Sequence, residues 1–138
     1  MTWLLYAFVS AVAAALTAIL AKIGVEGVPS TLATAVRTLI VVVFAWVMVF
    51  AANEQRAINQ VSRRSLLFLA LSGLATGVSW LAYFRALQLG PASRVAPIDK
   101  LSLPLTIMLA ILWLGEPISW RVAMGVGLMT IGGLLTLS

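Results

Sequence analysis

Five apolar runs, each about 20 residues long, fill nearly all of this 138-residue chain, and charged side chains sit inside several of them. The runs cover about residues 3–21, 30–52, 65–89, 95–114 and 119–137. A helix needs about 20 apolar residues to cross the hydrocarbon core of a bilayer. The sequence therefore predicts an all-α membrane protein with five transmembrane helices. Hydrophobic residues make up 62% of the chain, and its mean hydropathy is +1.10. Connections this short cannot cover so much apolar surface with polar groups, which rules against a water-soluble fold.

The longest polar stretch, residues 53–64, is too small for a separate soluble module, so residues 1–138 read as a single transmembrane domain. Any function is then exercised within or at the membrane. Nine basic against four acidic residues give a net charge of +5, but the basic groups are scattered among helix ends and interiors. That scatter argues against nucleic acid as a partner and suits the anionic headgroups of membrane lipids. Cysteine and histidine are both absent, which excludes disulfides, cysteine or histidine metal sites, thiol nucleophiles and Ser-His-Asp triads. With no catalytic constellation, no metal cluster and no cofactor motif in view, the chain does not read as an enzyme.

Small residues at 11–15 resemble the end of a signal core. The first run is nevertheless longer than such a core and lacks a preceding Lys or Arg, so it is expected to stay as the first membrane helix. Gly and Pro mark three connectors, at 24–29, 90–93 and 115–117, each short enough to make sequential helices antiparallel neighbours. One face then carries Met1, the 53–64 loop and the 115–118 turn, with Arg56, Arg63, Arg64 and Arg121. The opposite, second face carries Lys22 and Arg94, with Arg37, Arg85 and Lys100 buried nearby. Loop charges alone place the amino terminus in the cytoplasm. Including the buried charges nearly cancels that bias, which leaves insertion in both orientations open.

Trp3, Trp46, Trp113 and Trp120 fall toward the first face, as interfacial anchors do. Trp80 departs from them. It lies well inside the third run with Tyr83 and Phe84 on the same helical face, where the three either line a cavity or fill the bundle core.

The charges inside the spans share one half of the bilayer. Arg37 lies about 10 Å into the second helix and Arg85 about 6 Å into the third, with Asp99 and Lys100 at a similar depth in the fourth. A charge at the bilayer centre costs about 2.5–3.5 kcal/mol, so each needs a partner or an aqueous surface. Arg85 and Asp99 lie at matching distances from one hairpin turn and are expected to pair. Lys22 and Glu26 have helical four-residue spacing and can pair at the end of the first helix. Arg37 and Lys100 are left without an acidic partner. They either snorkel to the interface or line a cavity that attracts a carboxylate or phosphate. Pro97 and Pro104, seven residues apart on the fourth run, remove backbone donors and interrupt the helix, either as a static kink or as part of a binding site. Gly73-x-x-x-Gly77, the alanines at 7, 11, 14 and 18, and Ala123-x-x-x-Gly127 offer close helix packing within or between chains.

The stretch Ala82-Tyr83-Phe84-Arg85-Ala86-Leu87-Gln88-Leu89-Gly90-Pro91-Ala92-Ser93, followed by Val95-Ala96-Pro97-Ile98, Leu101-Ser102 and Leu114-Gly115-Glu116-Pro117-Ile118, resembles the EamA-type repeat of the drug/metabolite transporter superfamily. The closing segment from Gly125 to Gly133 resembles the repeat's last span, so the likeness covers the whole chain. Typical members join two such repeats of opposite orientation into ten helices. One repeat is similar to the short five-helix bacterial and archaeal branch. The resemblance implies five helices forming one half of an inverted-repeat transporter, completed by a homodimer, and an antiparallel one would reproduce the inverted repeats. Small multidrug-resistance relatives use a Glu in the first helix for cations and protons. No acidic residue occupies the first span here, which argues against cationic-drug antiport.

The resulting expectation is a multi-pass inner-membrane transporter or exporter of small polar metabolites with an anionic or zwitterionic group, working by alternating access. Arg37 and Lys100 would bind the anionic group, Trp80 and Tyr83 would wall the cavity, and Arg85 with Asp99 would form a structural ion pair or the coupling site. A lipid-carrier translocase and a non-transporting membrane subunit are the alternatives. Phosphate-bearing lipid bound without solute flux would mark the first, and loss of a partner's assembly would mark the second.

Overall fold

The computed structural model describes residues 2–137; Met1, assigned to the first face, and Ser138 lie outside them. Among the described residues all regular structure is helical: α1 (Thr2–Gly24), α2 (Ser30–Ala51), a 3₁₀ turn (Gln55–Gln60), α3 (Arg63–Leu89), α4 (Ala92–Asp99), α5 (Ser102–Leu109), a π-helical stretch (Ala110–Leu114) and α6 (Trp120–Leu135). α1, α2, α3 and the composite Ala92–Leu114 segment are long and apolar enough to cross a membrane. The fifth run forms a shorter apolar helix. Its 16 residues span about 24 Å, less than the roughly 30 Å hydrocarbon core.

The helix ends follow from local chemistry. Ser62 begins α3 by accepting the Ser65 amide at 3.0 Å, and Ser119 begins α6 by accepting the Val122 amide at 3.3 Å, each quenching an otherwise orphaned donor. α2 stops because Asn53 adopts a left-handed φ of 58°. That turn sends the Asn53 amide to the Phe50 carbonyl and the Glu54 amide to the Val49 carbonyl, the paired bonds of a Schellman cap. Gly115, with φ 66°, closes the π-helical stretch just before Pro117. A side chain at this φ would be strained.

The fourth span breaks at Lys100–Leu101, and Pro104 explains the place. Proline has no amide hydrogen to give the Lys100 carbonyl, four residues back. The backbone tightens instead, so that Leu103 donates to Lys100, Leu101 to Ile98 and Lys100 to Pro97, all over three residues. The break therefore leaves the Lys100 carbonyl bonded.

Two compact units emerge, Met1–Ile19 with Leu89–Ser138, and Leu20–Gln88. In the first, α6 packs on α4 and α5. Gly133 makes the approach possible, since a Cβ there would stand 3.3 Å from the Pro97 carbonyl oxygen. Gly133→Leu is expected to cost about 1–3 kcal/mol through overpacking. Gly133→Ala should cost clearly less, because the neighbour needs to yield by only a few tenths of an ångström. Chemical denaturation of the purified protein in detergent would measure both, and equal stability of Gly133→Leu and wild type would refute the close contact.

In the second unit, burial is concentrated at the second-face ends. Val25, Thr34, Phe84 and Leu87 are buried, whereas residues 61–76 of the α3 side are exposed throughout. Lys22 and Gln88 bond the end of α1 and its connector to the end of α3, which agrees with the antiparallel order expected of these three helices.

Candidate functional site

The second unit builds its site on facing positions of α2 and α3. Thr34, Arg37 and Thr38 share one stripe of α2 at three- and four-residue spacing. The two threonine hydroxyls donate back to their own helix, Thr34 to the Ser30 carbonyl at 2.8 Å and Thr38 to the Thr34 carbonyl at 2.7 Å. Their protons are thus satisfied without help from another helix. On α3, Trp80 and Phe84 stand one turn apart. The Arg37 Cζ lies 4.1 Å from the centre of the Trp80 ring and 5.4 Å from that of Phe84. Tyr83, half-buried beside them, is near enough to Arg37 to interact with it electrostatically.

Magnitudes decide how Arg37 is tolerated. A charge at the membrane centre costs about 2.5–3.5 kcal/mol on insertion scales, and a desolvated cation–π contact returns about 2 kcal/mol. Two rings therefore offset most of the cost without any carboxylate. This arrangement answers the sequence question of what receives Arg37: the aromatic face of α3. A cation–π contact draws on the charge of the guanidinium and does not by itself consume its N–H donors. Among the described residues Arg37 makes no hydrogen bond or ion pair. A guanidinium held over aromatic rings with its N–H donors unbonded is suited to bind a carboxylate or phosphate.

The other expected site residues find different partners. Lys100, read from the sequence as lacking an acid, has one in its chain neighbour: its Nζ lies 3.3 Å from the Asp99 Oδ2 at the helix break. Both side chains are substantially exposed, at 57% and 37%. Arg85, expected opposite Asp99, donates from Nη1 to the Gln88 Oε1 at 3.2 Å. Lys22, expected to meet Glu26, reaches α3 and donates to the Leu87 carbonyl at 2.6 Å. A cation there complements the negative end of the α3 dipole and bonds one of its terminal carbonyls.

Sequence reasoning gave Gln88 no role, yet it makes three hydrogen bonds. Its Nε2 donates to the Val28 carbonyl at 2.6 Å and the Val25 carbonyl at 3.3 Å, while its Oε1 accepts from Arg85. The available signal was its position, four residues beyond Phe84 and eight beyond Trp80, and so on the same face of α3. Phe84 belonged to the aromatic trio seen in the sequence, but its contact with Arg37 required the fold.

Comparison with known proteins adds three findings. The family model described as "EamA-like transporter family" matches residues 1–138. A curated protein of Sinorhizobium sp, "Uncharacterized transporter in cobO 3'region", is 46% identical over 134 residues, which cover 97% of this chain and 95% of that protein. No solved structure matches the chain.

Proposed function

This chain belongs to the EamA-like transporter family, and we propose that it moves small polar metabolites bearing an anionic or zwitterionic group across the inner membrane, by alternating access in a homodimer. Multi-pass membrane architecture and a transporter's rather than an enzyme's role stand on the family match and the similar transporter. The substrate class is supported by one observation: the Arg37 guanidinium lies over Trp80 and Phe84 inside a span and, among the described residues, makes no hydrogen bond or ion pair. Trp80 and Tyr83 form the apolar wall against which the rest of such a solute packs. A single repeat supplies half the cavity that the resemblance implies, and a second copy completes it. In the other unit, Asp99 with Lys100 is the candidate for ion coupling, because Asp99 is the acid set at the helix break.

Uptake and efflux by protein reconstituted in liposomes test this reading. Amino acids and organic anions should move, and competition should follow the carboxylate, with amides and esters of the same solutes competing poorly. Flux of neutral or cationic solutes with indifference to carboxylates would overturn it. Retention of phosphate-bearing lipid with no solute flux would turn the Arg37 site toward lipid translocation.

A further inference from the structure

Arg85 and Gln88 bond to each other, and Lys22 bonds to the neighbouring Leu87 carbonyl, in contacts that the transport reading does not use. Gln88 lies one turn beyond Phe84 on the same face of α3, toward the second-face end. Above it runs the connector from Gly24 to Ser30, which ends α1 and starts α2 through Pro29. Gln88 fastens that connector at two carbonyls, Val25 and Val28. The amide can serve in only one orientation. Its nitrogen must face the two carbonyls, which only accept, and its oxygen must face the Arg85 guanidinium, which only donates. Lys22 adds a parallel bond from α1 to the last turn of α3. The result is dense packing at this end, with Val25 2% and Leu87 0% exposed.

We infer that Gln88 is a gate latch: its bonds to Val25 and Val28 hold the α1–α2 connector across the second-face end of the Arg37 site, and Arg85 is the residue that positions the Gln88 amide. Opening toward the second face breaks these two bonds and lifts the connector from α3. Closing remakes them, with Arg85 keeping the amide turned for recapture. The device is poised for reversal because its bonds run from one neutral side chain to backbone carbonyls, which water can replace when the connector lifts. The latch has a role in transport only if Arg37 is the substrate site, so it rests on that reading, while its opening and closing are measurable without any substrate.

The chain contains no cysteine, so a single introduced thiol reports access. Thr34, 6% exposed and lying between the connector and Arg37 on α2, is the reporter position. In proteoliposomes, Thr34→Cys is to be reacted with a small membrane-impermeant methanethiosulfonate added to both sides, which removes any dependence on insertion orientation. With Gln88 intact the reaction is slow. Gln88→Leu should accelerate it about tenfold, the change expected from losing one to two net hydrogen bonds. Gln88→Glu should accelerate it as well, since a carboxylate keeps Arg85 but cannot donate to Val25 and Val28. Arg85→Leu should give a smaller acceleration by freeing the amide to rotate.

Ala18→Cys, at a buried position on α1, separates latch opening from general loosening. Its rate should stay constant across the Gln88 variants. Unchanged reactivity at position 34 in Gln88→Glu overturns the latch, even if Gln88→Leu fails to fold. Parallel acceleration at positions 18 and 34 overturns it too, by showing global destabilisation. Position-specific acceleration in a protein whose flux ignores carboxylates keeps the latch and removes the Arg37 substrate reading.

Discussion

Arg37→Gln is expected to leave the protein folded and assembled in lipid while lowering transport about 10- to 100-fold, the loss that follows from removing one charge-assisted hydrogen bond to the substrate. Folding should survive because the substitution removes a charge from a span, and the insertion cost it relieves is comparable to the cation–π stabilisation it gives up. Arg37→Lys should recover only part of the activity. An ammonium keeps the charge and the attraction to Trp80 but loses the planar fork. Initial rates in vesicles at matched protein content, beside a thermal melt in detergent, make the comparison. Wild-type flux in a well-folded Arg37→Gln protein would reduce Arg37 to a residue that ties α2 to α3.

Assembly should have the second large effect, with dimers carrying all the flux. One repeat holds one Arg37 clamp, and its second unit leaves residues 61–76 exposed in isolation. Crosslinking in native membranes should trap dimers. Reconstituting wild type with increasing amounts of the impaired Arg37→Gln protein should then lower flux nearly with the square of the intact fraction if both copies must be competent, and nearly linearly if each works alone. An active monomer, shown by mass measurement in lipid discs, would refute the half-cavity argument.

Helical architecture was legible in the sequence because membrane spans must be long, apolar and bounded by chain-breaking residues. Pro104 even foretold the interruption of the fourth span, although its exact backbone form depends on which amide takes the Lys100 carbonyl, and that is Leu103. Side-chain partners were much less legible. Depth along a helix axis is one coordinate of two. Rotation about a helix axis, near 100° per residue, decides which neighbour a side chain meets. For Arg85 that neighbour is Gln88, three residues along its own helix, and for Asp99 it is the adjacent Lys100. Arg37 could not be matched from charge complementarity, because its partners are rings on a helix more than 40 residues away. Looking only for acids to receive a buried base overlooks aromatic faces.

The concentration of buried side chains at one end of α2 and α3 has a mechanical consequence. A rod clamped near one tip behaves as a lever whose fulcrum is the clamp. From Arg37 to Ala51, α2 extends 14 residues beyond the clamp, an arm of about 21 Å. A tilt of only about 5° at the fulcrum carries the far tip about 2 Å, since displacement grows with arm length. Small strains introduced where Arg37 meets Trp80 are thereby magnified at the opposite surface of the membrane.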